Sequence, residues 1–271
     1  LAQRLAHVRE EMLDMDYSLV ARRIASFISD YVGQSGAEGV VIGLSGGVDS
    51  SVAATLCVRA LGNERVLGLV MPTQFTPTED VEDARWLAGW LNVKHKTIPI
   101  DPIVESYGRQ LGHSPDSQQL KMPFANLRAR VRMSLLYFHA NTHKLLVAGT
   151  GDRSESAIAY FTKWGDGGVD LLPLGSLFKS QVRRLGLHLG LPGRIAYKPS
   201  SPQLYPGHRA TDEIPLDYDD LDVVLYLLLD KNMTAEEVSA ETGIQLDAVR
   251  AVLSLHRRTG HKRAMPPTPP L

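Results

Sequence analysis

Eight consecutive residues, Gly43-Leu44-Ser45-Gly46-Gly47-Val48-Asp49-Ser50, carry the most chemistry per position in this chain. They lie between a short apolar run, Gly39-Val40-Val41-Ile42, that reads as a buried strand, and Ser51 to Leu61, which reads as a helix. A Gly/Ser-rich turn between strand and helix is a phosphate cradle. Adjacent glycines let the backbone approach an anion without a Cβ in the way. The first N–H groups of the helix have no internal partner and point at it. The helix end alone favours a phosphate by up to ~2 kcal/mol. Asp49 adds a requirement, because a carboxylate beside phosphates is repulsive unless a cation lies between them. It therefore implies a divalent metal. The plain alternative is an ordinary turn in which Ser45 or Asp49 caps the helix.

The spacing excludes two commoner loops. A Walker loop needs Lys-Ser/Thr after its second glycine, and no lysine follows here. The dinucleotide fingerprint Gly-x-Gly-x-x-Gly is absent from the segment. Ser-Gly-Gly-x-Asp-Ser resembles the PP-loop of the N-type ATP pyrophosphatases. That resemblance implies cleavage of ATP between its α and β phosphates, with AMP going to the substrate and pyrophosphate leaving.

Other residues could join this loop. Glu155, in Gly149-Thr150-Gly151-Asp152-Arg153-Ser154-Glu155, follows a buried strand and could complete a magnesium site with Asp49; alone it reads as a helix-start carboxylate. Arg128, Arg130 and Arg132 share a helix, with Arg128 and Arg132 one turn apart and Arg130 facing elsewhere. Arginine forks suit carboxylates and phosphates, so at least one should bind an anion. Tyr160 to Asp170 is too glycine-rich for a helix and reads equally as a mobile surface loop or as a lid with aromatics to stack on a planar ring. Lys179 opens a helix, and Lys198-Pro199-Ser200-Ser201-Pro202 is a rigid turn with hydroxyls; either could touch phosphates, though both are ordinary surface features by themselves. The basic run His256 to Arg263 suits a solvated helix end.

These groups need a frame. Strands are expected at 39–44, 66–71, 94–100 and 144–149, with helices at 17–32, after the loop to about Leu61, from Thr78 to about Leu91, and from Phe124 to His139. That rhythm means an α/β fold: a Rossmann-like parallel sheet with helices on both faces, whose ligands sit at the C-terminal strand ends. The loops Ser45–Ser50, Pro72–Thr76 and Thr150–Glu155 should converge there. The last third is expected to be helical at about 179–190, 217–229, 234–240 and 246–258, before a proline-rich tail at about 264–271. No linker or repeat divides the chain, so one domain over 1–271 is expected.

Composition narrows the class. The chain has 271 residues, 44% of them hydrophobic, and a formal net charge of −1, so no global field favours nucleic acid or an anionic membrane. Its one cysteine, Cys57, excludes an internal disulfide framework and a cysteine-rich zinc site, and fits a buried helix position. The nine histidines lack metal-ligand spacing. The N-terminal stretch lacks a secretory pattern and no apolar run approaches ~20 residues, so a soluble cytoplasmic protein is expected. The chain opens on Leu1, so a few residues are expected to precede it.

Taken together the motifs resemble the ammonia-dependent NAD synthetase family. Met71-Pro72-Thr73 through Ala84, Asn126 to Met133, Gly149-Thr150 with Ser154-Glu155, Tyr160 to Asp170, Pro173-Leu174-Gly175 to Lys179, and His261-Lys262-Arg263 look like its blocks in order over most of 17–265. The resemblance implies an adenine-nucleotide alpha-hydrolase-like fold. It implies ATP at Gly43, Leu44, Ser45, Gly46, Gly47, Val48, Asp49 and Ser50 with Thr150, Lys179 and Ser200, and magnesium at Asp49 and Glu155. It implies deamido-NAD at Arg130, Lys163, Asp170, His261 and Lys262, and a homodimer with that site near the interface. The reaction it implies adenylates the nicotinate carboxylate with loss of pyrophosphate, then lets ammonia displace AMP; Asp49 and Lys179 are the catalytic residues, with Asp170 as the candidate proton acceptor. Some family members carry an extra residue before the proline near Ser200 and threonine in place of serine, which leaves Ser201 as an alternative to Ser200. Arg153 could compete with metal for Glu155. Glutamine-dependent relatives carry an amidase domain in front, for which this chain has no room, so free ammonia is the expected nitrogen source. Two rival readings remain: another PP-loop enzyme such as a tRNA-modifying or GMP-forming amidotransferase, and a non-catalytic adenine-nucleotide module. The second would not need Asp49, Glu155 and Lys179 together.

Overall fold

The computed structural model describes residues 2–208 and 210–270. Among them β1 (Gly39–Gly43), β2 (Val66–Val70), β3 (Lys94–Thr97) and β4 (Leu145–Ala148) form one parallel sheet in the order β3-β2-β1-β4. Before β1 come α1 (Ala2–Leu13) and α2 (Tyr17–Ser35). α3 (Val48–Leu61) joins β1 to β2, α4 (Thr78–Trp90) joins β2 to β3, and α5 (Asp101–Leu111) with α6 (Lys121–His143) joins β3 to β4. After β4 follow α7 (Arg153–Ile158), α8 (Lys179–His188), the single turn α9 (Gly193–Ala196), α10 (Tyr218–Leu229), α11 (Ala235–Thr242) and α12 (Leu246–Arg258).

The central strand shows how sequence sets the layers. Side chains alternate across a strand, so an unbroken apolar run is buried on both faces. Val40 and Ile42 pack with α2, α3, α4 and α8, while Val41 packs with α5 and α6. Val41 is paired with Leu67 on one side and Val147 on the other. The chain winds outward from β1 through β2 to β3 and then crosses back to β4 on the far side of β1. That reversal opens a crevice at the C-terminal ends of β1 and β4. A third cluster joins α7, α10, α11 and α12 to Val8 and Met12 of α1.

Several elements differ from the sequence reading. α1 was not expected; its charges mask a stripe in which Val8 and Met12 are buried. α5 was not expected either, although Pro102 lies in its first turn and Gly112 closes it with φ 69°. β3 stops at Thr97 rather than Ile100. The N–H groups of Ile98 and Ile100 still donate to the Val70 and Pro72 carbonyls at 2.8 and 3.0 Å. Cys57 is buried in the core, as expected. Residues 264–270 are exposed and form neither helix nor strand.

Candidate active site

The glycine loop is tied together by its own hydroxyls. The Ser50 Oγ accepts from the Ser45 N–H at 3.2 Å and lies 3.0 Å from the Ser45 Oγ, which accepts from the Gly47 N–H at 3.3 Å. Gly46 has φ +79°, and a Cβ there would fall 2.2 Å from the Asp80 carbonyl oxygen, so no other residue fits between the loop and α4. No side chain caps the N-terminus of α3, which overturns the alternative that Ser45 or Asp49 is a helix cap. The free N–H groups of its first turn remain available to an anion.

The three expected loops do converge. Ser45, Asp49 and Ser50, Pro72 and Thr76, and Thr150, Gly151 and Glu155 line one cavity of about 500 Å³. Gly43, Leu44, Gly47, Val48 and Ser200 line it too, while Gly46 faces α4 instead. The Ser200 Oγ is buried and unpartnered, whereas the Ser201 hydroxyl donates to the His208 carbonyl.

One lysine organises the floor. The Lys179 Nζ lies 2.6 Å from Asp49 Oδ2, 2.9 Å from Glu155 Oε1 and 3.0 Å from Asp152 Oδ2, and its side chain is 0% exposed. Burial opposes its charge, but the three carboxylates outweigh burial and hold the ammonium well above the usual lysine range. Burial pushes Glu155 up to about 8, aided by Asp152 and Asp49 and opposed by Lys179. Asp152 is raised for the same first reason. Lys179 is held from behind. Its N–H donates to the Ser154 Oγ at 2.9 Å, and the Ser154 hydroxyl donates to Asp222 Oδ1 at 2.5 Å. Asp222 is fully buried and also accepts from the N–H and Oγ of Ser180, both at 2.7 Å. Burial raises Asp222 to about 7.

The donor set fits a magnesium ion. Three carboxyl groups crowd one ammonium, and the raised Glu155 and Asp152 mark a shortage of positive charge that a divalent cation would make good. Asp49 Oδ1 is buried without a partner, which leaves a lone pair for such an ion. Among the described residues no group of three or more His, Cys, Asp or Glu is arranged to hold a metal by itself. Magnesium needs only one or two carboxylates when phosphate oxygens and water complete its shell. Arg153 does not compete, because its guanidinium binds Asp230 instead.

Residues 20–266 match the NAD synthase family. The chain belongs to that family. Among curated relatives it is 57% identical to the NH(3)-dependent NAD(+) synthetase of Hyperthermus butylicus over 260 residues, covering 96% of this chain and 93% of that one. It is 48% identical to the Staphylothermus marinus protein of the same name, covering 97% and 94%. Among solved structures, the NH3-dependent NAD synthetase of Campylobacter jejuni, in complex with a nitrate ion, superposes with TM-score 0.78 at 32% identity, covering 94% of this chain and 100% of that one. The NMN synthetase of Francisella tularensis superposes with TM-score 0.82 at 34% identity, covering 95% and 100%.

In this member of the NAD synthase family, the residues expected at the second substrate form a chain of contacts at one rim. Arg130 donates to the Lys163 carbonyl at 3.3 Å, and the Lys163 Nζ donates to the His261 carbonyl at 2.9 Å. The Lys262 Nζ donates to the carbonyls of Ala159, at 2.6 Å, and Phe161. Of these, only Lys262 lines the cavity. Asp170 lies apart from these contacts. Its carboxylate accepts from the Val147 N–H at 2.8 Å and from the Tyr137 hydroxyl at 2.9 Å, and it is not part of the cavity wall. It satisfies the free edge of β4. Arg132, not Arg130, reaches the cavity; its Nε donates to the Met71 carbonyl at 3.1 Å, and burial lowers it to about 10. Tyr160 to Asp166 form a packed wall rather than a mobile surface loop. A Cβ on Gly165 would meet Ala129 and Thr162 at 2.9 Å, and the Thr162 hydroxyl donates to Asn126 at 2.7 Å.

Asp152 and Asp222 were not singled out from sequence, whereas Arg132 was one of the three arginines of which at least one was expected to bind an anion. Asp152 had a signal: Asp152-x-x-Glu155 is a capping box, and the structure shows both halves of it. Asp222 had none, being one of four acidic residues near the start of α10.

Proposed function

We propose that the protein amidates deamido-NAD to NAD, using ATP and ammonia and releasing AMP and pyrophosphate. The observation that carries this reading is the uncapped glycine loop facing the Asp49–Lys179–Glu155 cluster across one cavity. Family membership supplies the substrate class.

The loop and the first turn of α3 receive the phosphates, with Thr150 and Ser200 on neighbouring walls. Magnesium, held by Asp49 and Glu155, would neutralise phosphate charge. A nicotinate carboxylate oxygen attacks the α-phosphorus while the bond to pyrophosphate breaks, leaving an acyl-adenylate. Ammonia then attacks the carbonyl carbon, the bond to AMP breaks, and the nitrogen sheds a proton. The residues contribute position and fixed charge. The wall from Tyr160 to Asp166 excludes water, which would hydrolyse the adenylate. Arg130, Lys163, His261 and Lys262 meet the dinucleotide at the rim.

A homodimer is part of the proposal. It is supported by exposed aromatics on two helices, Phe27 and Tyr31 of α2 and Phe138 of α6, at 46%, 41% and 64% exposure. A cytoplasmic setting is proposed as well; among the described residues no helix is long and apolar enough to cross a membrane.

The likeness to the NMN synthetase favours a second reading, the same chemistry on the mononucleotide. One experiment separates them: ATP, magnesium and ammonium are supplied with either deamido-NAD or nicotinate mononucleotide, and products are resolved. NAD, AMP and pyrophosphate are expected. Amidation of the mononucleotide alone would establish the second reading, and ADP with phosphate would overturn both.

A further inference from the structure

The Lys198 ammonium does not point at a phosphate. It lies 2.7 Å from Asp80 Oδ1 and 2.5 Å from Asp83 Oδ2, both on α4. The three side chains are 15%, 11% and 6% exposed, so the group is sheltered from solvent screening. Burial opposes the lysine charge, but the two carboxylates hold it above the usual range. Gln203 donates to the other Asp80 oxygen, and the Arg194 Nε donates to Asp83 at 3.1 Å. Residues 198–204 form a wall of the same cavity that the glycine loop lines. That wall has no helix or strand to stiffen it. Its far end is held by the buried Arg128, whose Nη1 donates to the Leu204 carbonyl at 3.1 Å. Asp80 also backs the glycine loop, since its carbonyl oxygen sits where a Gly46 side chain would go.

We propose that Lys198 is a positioning residue for ATP: it clamps the wall 198–204 to α4, and through the first turn of α4 to the glycine loop, so that both sides of the nucleotide pocket are held at a fixed separation. The clamp rests on the proposed use of ATP. It acts before chemistry, by keeping the binding-competent arrangement populated. Apparent affinity falls in proportion to the competent fraction, so a wall that is competent about one-tenth of the time binds about tenfold more weakly.

The test is titration of ATP with magnesium into the full chain, with no second substrate. Lys198→Met should weaken ATP binding about tenfold, raise the KM for ATP in step, and leave kcat and deamido-NAD binding within about twofold. Asp83→Asn should weaken ATP binding alone, and should add less in the Lys198→Met background than in the parent. Gln203→Ala, which strands no charge, should weaken ATP binding about threefold and carries the test if Lys198→Met fails to fold. ATP affinity within twofold of the parent in the folded variants would overturn the clamp. So would equal weakening of ATP and deamido-NAD, or full additivity of Lys198→Met with Asp83→Asn. A parent protein that binds ATP but makes no NAD would sink the proposed reaction and leave the clamp standing.

Discussion

Replacing Asp49 by Asn separates fold from function in this site. Asp49 Oδ2 meets the Lys179 ammonium at 2.6 Å, and Oδ1 is buried without a partner. The variant keeps a carbonyl oxygen that can accept from Lys179. The ammonium also keeps Glu155 and Asp152 at 2.9 and 3.0 Å, so it is not left as an uncompensated buried charge. An ion pair becomes a hydrogen bond from the ammonium to a neutral amide oxygen, and the stability cost should be about 1–2 kcal/mol. Function should suffer more, because the lost charge faces the position of the phosphates and their cation. Loss of one fixed electrostatic stabiliser costs roughly 10²–10³-fold, or about 3–4 kcal/mol of barrier. The assay is NAD and AMP formation across a magnesium titration, beside a urea unfolding curve on the same preparation. Turnover within tenfold of the parent, with an unchanged magnesium requirement, would refute the role given to Asp49. A collapse of the unfolding midpoint would show instead that the charge is structural.

Gly46→Ala places a methyl group in the space of the Asp80 carbonyl oxygen and strains a left-handed backbone; ATP binding should be lost, with about 1–2 kcal/mol of stability, as read by titration and unfolding. Asp222 gives a pH signature. Its carboxyl is raised by burial to about 7 in the fold, so between about pH 4 and pH 7 the folded state holds a proton that the unfolded state has released. Stability from this group therefore falls as pH rises through that window, by up to ~4 kcal/mol at 1.36 kcal/mol per unit. Urea midpoints of the parent should show that slope and those of Asp222→Asn should lack it; equal slopes would refute the assignment. Asp170→Ala leaves the Val147 N–H without its acceptor and should cost about 1–3 kcal/mol, while kcat per folded molecule and its pH profile stay unchanged.

Local patterns were readable from the sequence and long-range partnerships were not. The glycine loop, the strand rhythm and the start of α8 at Lys179 follow from neighbours in the chain. Helical spacing put Arg130 on a different face from Arg128 and Arg132, and the structure keeps that division: Arg130 is exposed while Arg132 lines the cavity. Resemblance, not spacing, had assigned Arg130 to the substrate. Nothing local reveals that an edge-strand N–H on Val147 takes Asp170 as its acceptor. Lys198 read as a surface cation because its carboxylate partners lie 118 and 115 positions away. α1 was missed because its polar face dominates its composition.

The Lys179 cluster also bears on how the chain reaches its native state. Its hydrogen-bonded partner Asp49 is 130 positions away, and Asp152 and Glu155 arrive from the turn after β4. Contacts so distant in sequence close late, because loop-closure entropy must be overcome first. No partly folded chain can present the complete nucleotide pocket, so a nucleotide binds only finished molecules. By mass action, a ligand at one hundred times its dissociation constant then adds about 2.7 kcal/mol to the unfolding free energy. The cell's nucleotide pool thus acts on the standing amount of folded protein as well as on its turnover.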